Sequence, residues 1–257
     1  MNIKWTVVLA FYNEADFIEA TLDTWARQTV PFRFVLVDNA STDNSAELCR
    51  ARMAQYPGIA FEILDQPLPG HPHALEMGTK VAQTEFIALA DADTIYPPDY
   101  LAKAEALLAK PDAMAAFAID LYGDPDNFSS RLRKTKFAVV TRLLSKQCHT
   151  GSYGQCFRAD IFHAVGGISP SVWPYVLHDH EIAQRILHKG RIIYDTGFWC
   201  LASDRRTVSA SVRWSLGERL MYHFLPFRTK DWFFYSFLAP RFEERGLSFL
   251  NIRERDW

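Results

Sequence analysis

The chain has 257 residues, 49% apolar and 23% charged, enough for one substantial core with an appendage. A formal net charge of −2 gives no general pull toward nucleic acid, which is not expected as a partner; any anionic ligand has to be met by a local basic patch. Cys49, Cys148, Cys156 and Cys200 show neither CxxC spacing nor the density of a disulfide scaffold, which points to reduced thiols in a cytoplasmic setting and away from structural zinc.

The opening MNIKWTVVLAFYNEADF has a short apolar run, and Asn13, Glu14 and Asp16 follow at once without a small-residue cleavage site, so it reads as a strand and not a signal peptide. No segment offers the roughly 18 uninterrupted apolar residues of a membrane span. After KWTVVLAF, Phe17, Ile18, Thr21, Leu22 and Trp25 recur at helical spacing. FRFVLVD reads as a second buried strand, and SAELCRARMAQ as a helix with Asn44 and Glu47 placed like a capping box. Ile59 to Leu64 form a third strand, His73 to Gln83 a helix, and EFIALAD a fourth strand. This alternation predicts an α/β fold with a mainly parallel sheet flanked by helices.

In such sheets ligands sit beyond the carboxyl ends of the strands. Three of those ends are polar: Tyr12-Asn13-Glu14, Asp38-Asn39-Ala40-Ser41-Thr42-Asp43, and Asp91-Ala92-Asp93. Alternate residues of an extended segment point the same way, so Asp91 and Asp93 can reach one small volume. Three readings fit DADTIYPP. It is a polar turn in which Pro97 and Pro98 open a helix and Asp93 or Thr94 satisfies free backbone N–H groups. It is a pair of hard oxygen ligands for a divalent cation on a diphosphate. Or it is the DxDxT signature of a haloacid-dehalogenase-type phosphohydrolase, a motif that belongs on a first strand and here follows the fourth.

Taken together, VVLAFYNEADFIEATLDTW, FVLVDNASTDNSAEL, EFIALADADTIYPPDYL and GSYGQCFRADIFHAVGG followed by HDHEIAQRIL resemble the family 2 glycosyltransferases. These are inverting, nucleotide-sugar-dependent enzymes of the GT-A fold. The motifs occur in family order over about the first three quarters of the chain. The resemblance implies that Phe11, Tyr12 and Glu14 line the nucleotide pocket, that Asp38 reads a uracil or thymine ring N–H, that Asp91 and Ala92 face the ribose or metal, and that Asp93 is the direct ligand of Mn²⁺ or Mg²⁺. Asp179 aligns with the catalytic base, and His178 stands where the family commonly carries a glutamate. The acceptor it implies is a hydroxyl of a glycan or lipid-linked molecule. A non-catalytic module that binds nucleotide sugar is the alternative.

Physically, Asp179 and Glu181 in the first turn of a helix also complement its dipole. Trp173 and Tyr175 either stack on an acceptor sugar or pack a loop onto the sheet. His71 and His73 lie in the glycine-containing segment where many family members carry a basic residue; one of them facing phosphate is the alternative, and exposure near a helix start is the preferred reading. Residues 1–204 are expected to form the transferase domain, with about 1–110 binding the donor and about 111–204 the acceptor; 205–257 form a helical, aromatic-rich extension. Arg205 and Arg206 are placed to close over a diphosphate. The extension interleaves arginines with aromatics, which fits helices packed on the core or a peripheral surface on the cytoplasmic face of a membrane. Ala210-Ser211-Val212-Arg213-Trp214 lacks the glutamine of the QxxRW string carried by processive family members, which argues against a polymer-extruding synthase.

Overall fold

Alternation along the strands builds the sheet of this computed structural model, which describes residues 3–203 and 214–249. In β1 (Trp5–Phe11), Trp5, Val7, Leu9 and Phe11 enter one apolar cluster while Val8 and Ala10 enter another on the opposite face. Beside it run β2 (Phe32–Asp38), β3 (Ala60–Asp65) and β4 (Phe86–Asp91), followed by β5 (Ala113–Leu121), β6 (Gln155–Arg158) and β7 (Arg191–Leu201). The order is β3-β2-β1-β4-β6-β5-β7, parallel except where β6 pairs with β4 and β5.

One face is covered by α1 (Ile18–Ala26), α2 (Ser45–Met53) and α4 (Tyr100–Leu108), the other by α3 (His71–Lys80), α6 (Ala159–Ala164) and α7 (His178–Leu187). On the first face Trp25 meets Tyr96 at 4.3 Å and Tyr100 at 5.8 Å between ring centroids, joining α1 to the segment after β4. Helix α5 (Phe128–Leu143) lies against β5 and β7.

Three local expectations are corrected. Asn44 adopts φ −89° and ψ 20°, outside the extended conformation a cap needs, and its side chain makes no capping bond. Asp43 Oδ1 takes the Ser45 N–H at 3.0 Å instead. At α4 the start is Tyr100, and Gln28, two residues past the end of α1, does the capping: its Oε1 accepts from Leu101 N at 3.0 Å and its Nε2 donates to the Pro97 carbonyl at 2.7 Å. Helix α3 starts at His71, two residues before its sequence-based bound, because Gly70 turns the chain at φ 122° and Pro72 fits a first turn.

The described part of the C-terminal segment packs on the sheet domain. Helix α8 (Leu216–Phe224) is followed by α9 (Lys230–Trp232), a π-helical turn Phe233–Leu238 and α10 (Ala239–Glu244). Tyr222, Phe233, Phe234, Leu238 and Phe242 bury a third cluster with Trp173 and Val176. No helix among the described residues is long and apolar enough to cross a membrane. All four cysteines are buried and unbridged.

The closest helix-to-sheet approach has a measurable consequence. A Cβ on Gly78 of α3 would meet Val8 Cγ1 at 2.5 Å and Val37 Cγ2 at 2.9 Å, whereas one on Gly58 would meet nothing within 4 Å. Gly78→Ala should therefore lower unfolding free energy by about 1–3 kcal/mol in a denaturant titration, with Gly58→Ala close to the parent.

Candidate functional site

Winding away from β1 in both directions leaves a crevice at the carboxyl ends of β1 and β4. Phe11 ends β1 opposite Asp38, buried, and its carbonyl accepts from Asn39 N at 2.9 Å. Tyr12 is exposed beside it, and Glu14 is buried, its backbone N–H given to Ser45 Oγ at 2.8 Å. Asp38 Oδ1 accepts from Ser41 N at 2.9 Å, as an Asx turn does. Its Oδ2 accepts no hydrogen bond among the described residues.

The aspartate pair is fixed from behind. Ala92 is buried and its carbonyl accepts from Thr21 Oγ1 at 2.8 Å, while Asp91 N donates to Tyr96 Oη at 3.3 Å. Both carboxylates are partly buried at the rim. Among the described residues, no three His, Cys, Asp or Glu side chains gather as a ready-made metal cage. The donor chemistry nonetheless fits Mg²⁺ or Mn²⁺, since such ions are commonly held by one or two carboxylates together with substrate phosphates and water.

Histidines link this pair to the start of α7. His71 Nε2 lies 3.5 Å from Asp91 Oδ1, and its ring meets that of His178 edge-on at 5.3 Å between centroids. The next residue is Asp179. His71 is thus a site residue that reading the sequence as an exposed helix-start histidine missed; its position just after the β3 end, on the same rim, was the available signal. Both ring nitrogens of His178 are buried and find no hydrogen-bond partner among the described residues. Burial pushes the His178 and His180 imidazoles down to about 3, so both are neutral at pH 7.

Burial also raises the carboxyl pKa of Asp179, against a lowering influence from His178. Its hydrogen-bond donors among the described residues are backbone groups, with His180 N at 2.9 Å. Gln155 Nε2 holds the Asp179 carbonyl at 3.3 Å. Just before the helix, Leu177 is held left-handed at φ 66°. Such backbone strain clusters at working sites, and Asn13 at φ 52° and Ala40 at φ 58° lie on the same rim.

Other expected residues lie elsewhere. Trp173 is 2% exposed and its Nε1 donates to the Val176 carbonyl at 2.7 Å, so its ring belongs to the C-terminal core, and neither stacking on an acceptor nor packing of its loop onto the sheet describes it. Tyr175 is half-buried against that core, its hydroxyl donating to Glu243 Oε2 at 2.8 Å. Glu181 is buried and receives two bonds from Arg185 at 2.7 Å and one from the Tyr235 hydroxyl. Arg205 and Arg206 lie outside the described residues.

The sequence profile of Glycosyl transferase family 2 matches residues 6–166. An undecaprenyl-phosphate 4-deoxy-4-formamido-L-arabinose transferase of Yersinia enterocolitica is 26% identical over 186 residues, 69% of this chain and 52% of that protein. The succinoglycan biosynthesis protein ExoA of Rhizobium meliloti is 28% identical over 182 residues, 64% of this chain and 53% of that one. The chain thus spans about half the length of these relatives. Among solved structures, the mannosyltransferase PcManGT from Pyrobaculum calidifontis, in complex with GDP-Man and Mn²⁺, superposes with a TM-score of 0.69 at 21% identity, covering 100% of this chain and 77% of that one. S. aureus TarS in complex with UDP-GlcNAc gives 0.61 at 16% identity, covering 94% and 73%. At such identities the likeness speaks for the GT-A fold.

Desolvation at Asp179 sets the sign of a stability effect. Its folded pKa lies above the ordinary 3.8, so the folded chain holds that proton more tightly than the unfolded chain does. The resulting contribution is complete below the unfolded value and is lost as pH rises through the folded one. At neutral and alkaline pH the buried carboxylate is a net cost, so Asp179→Asn should match or exceed the parent in denaturant midpoint there and lose that advantage in acid. A less stable variant at neutral pH would make Asp179 a structural partner.

Proposed function

Because this chain belongs to glycosyl transferase family 2, whose profile spans residues 6–166, we propose that it transfers a sugar from a nucleoside-diphosphate sugar to a hydroxyl with inversion at the anomeric carbon. The observation that carries the reading is the line Asp91–His71–His178–Asp179, which joins a diphosphate-side carboxylate to a desolvated carboxylate across one crevice.

In this reading Phe11, Tyr12 and Glu14 border the nucleotide. Asp38 accepts the ring N–H of uracil or thymine, a charge-assisted bond worth about 1.5–3 kcal/mol, which favours UDP- or dTDP-sugars. Asp93, with Asp91 beside it, would hold Mn²⁺ or Mg²⁺, which supplies positive charge to the departing diphosphate. Asp179 takes the acceptor proton as the hydroxyl oxygen bonds to the anomeric carbon from the face opposite the diphosphate. The bond from that carbon to the diphosphate oxygen breaks, and its electron pair leaves with the nucleoside diphosphate. A raised pKa makes Asp179 a better base than an exposed aspartate. His178 contributes a neutral ring that excludes water beside it.

Arg205 and Arg206 closing on the diphosphate, and Tyr175 and His178 bordering the acceptor, complete the proposal. A glycan or lipid-linked acceptor fits it, and the Yersinia relative's name specifies undecaprenyl phosphate. Peripheral contact with the cytoplasmic face of a membrane through residues 205–257 belongs to the same reading.

Turnover of a panel of labelled nucleotide sugars tests it. Transfer should occur, with UDP- or dTDP-sugars ahead of GDP-sugars, and Asp179→Asn should lower the rate by about 10²–10⁴-fold with donor affinity kept. Glu181→Gln should instead lower the melting temperature, since Glu181 binds Arg185 and Tyr235 in the core. Full activity of Asp179→Asn would move the base elsewhere; donor binding without transfer to any acceptor would leave a binding module.

For the metal, calorimetric titration of nucleoside diphosphate should gain affinity with Mn²⁺ in the parent and lose that gain in Asp93→Asn. Equal Mn²⁺-dependent affinity in both proteins would remove Asp93 as the ligand.

A further inference from the structure

Helix α5 inverts the ordinary distribution of an amphipathic helix. Its buried residues are Ser130 and Thr141, while Phe128, Leu132, Val139 and Leu143 face solvent, Phe128 at 81% and Leu143 at 77% exposure. Spacings of four, seven and four set these residues in one stripe. The same helix carries Arg131, Arg133, Lys134, Lys136 and Arg142 and no acidic residue, in a chain of net charge −2. Arg133 is committed to Asp120 at 2.6 Å and Lys134 lies over the Trp199 ring. Arg131, Lys136 and Arg142 are exposed and have no carboxylate partner among the described residues.

The stripe continues onto α8, where Leu216, Leu220 and Phe224 recur every four residues and are exposed, Phe224 at 81%. The segment that follows α5 reaches α8 where Gln147 Nε2 donates to the His223 carbonyl at 3.0 Å and Gln147 Oε1 bonds His223 Nδ1 at 2.7 Å. Between them opens a cleft of about 270 Å³ with apolar walls, Leu143, Leu225 and Phe227, and two ammonium groups, Lys146 and Lys230. Lys146 lies 5.1 Å from the Phe227 ring centroid. Lys230 is buried, its Nζ 3.2 Å from the Lys146 carbonyl and 4.3 Å from the Tyr222 ring centroid. No carboxylate pairs with either lysine among the described residues.

We propose that α5, α8 and the cleft between them form one docking surface for an anionic lipid bilayer, with the apolar stripe in the headgroup region and the arginines and lysines on lipid phosphates. Charge decides the occupant. A second copy of this chain would bring two basic stripes together, which Coulomb repulsion opposes. An apolar stripe on a helix with five basic residues and no acidic one matches a surface that is apolar in depth and anionic on top; the exposed Asp124 and Asp126 lie in the loop before Phe128.

The proposal deepens the lipid-linked acceptor reading and rests on it for its purpose. Helix α5 is joined to the crevice by polar contacts: Arg133 to Asp120, Tyr153 Oη to Asp120 Oδ2 at 3.3 Å, Tyr96 Oη to the Tyr153 carbonyl at 2.9 Å, and Asp91 N to Tyr96 Oη. A bilayer on this face would therefore be coupled to the rim at Asp91.

Co-sedimentation of the full chain with vesicles of phosphatidylcholine, alone or mixed with phosphatidylglycerol, tests the surface. The chain should bind the anionic vesicles and release them as salt is raised. Arg131→Glu and Arg142→Glu should each weaken binding by about fivefold or more, from about 1 kcal/mol per basic residue at an anionic surface. Leu132→Asp combined with Leu143→Asp should abolish binding, both residues being exposed and outside the core. Asp179→Asn should bind vesicles like the parent, which separates this test from failure of the transfer reading. No binding by the parent, or undiminished binding by the arginine and leucine variants, would overturn the proposal. So would a parent that ignores vesicles but forms oligomers broken by the leucine changes, which would assign the patch to self-association.

Discussion

Strand β1 is paired in parallel on both sides, to β2 and to β4, and the chain leaves it in opposite directions. Everything at the crevice depends on that reversal. Right-handed crossovers put α1 and α2 on one face as the sheet grows toward β3, and the return to β4 puts α3 on the other. Sheets that reverse direction in this way open a crevice at the carboxyl ends of the two strands, and Tyr12, Asp91 and Asp93 stand at those ends, with Asp38 at the end of β2 beside them.

That space is held rigid at a conformational cost. Asn13 and Ala40 are left-handed without being glycine, and each is tied to the opposite loop or its own turn. Asn13 Oδ1 accepts from Thr42 N at 2.8 Å, and the Asp38 carboxylate closes the turn around Ala40 by holding Ser41 N. Thr21 and Tyr96 grip the backbone of Ala92 and Asp91 from the aromatic cluster around Trp25. The aspartate pair therefore inherits its position from core packing, the firmest support available to side chains at a rim.

Desolvation governs the other wall. Within His178–Glu181 the two acids have different surroundings: Asp179 is met by backbone donors only, and Glu181 is neutralised by Arg185 and tied to Tyr235. The C-terminal segment is what makes this possible. Val176 N donates to the Leu247 carbonyl at 3.1 Å and Phe249 N to the Pro174 carbonyl at 3.2 Å, so the loop that carries Leu177 into α7 is clamped by residues some seventy positions later. With His178 and His180 neutral, no cation in this helix start offsets the burial of Asp179.

Much of this was legible in the linear sequence. Short apolar runs marked β1, β2 and β4, and the polar residues that ended them marked the rim, because a buried strand's composition and its termination are local properties. The motif order gave the family, and Asp38, Asp91 and Asp93 were named from it. The capping assignment at Asn44 failed because a cap depends on a backbone torsion that composition does not set. His71 and the alternative roles of Trp173 could be decided only in three dimensions: one histidine is brought to Asp91 by the crossover that returns β3 to β4, and the tryptophan is taken into a core supplied by a distant segment. Helix α5 shows the limit most plainly. A stripe at Phe128, Leu132, Val139 and Leu143 has the spacing of a buried face, and periodicity says that one side of a helix is apolar without saying which way that side turns; packing against β5 and β7, with Phe137 on Tyr194 and Arg133 on Asp120, decided that it turns outward.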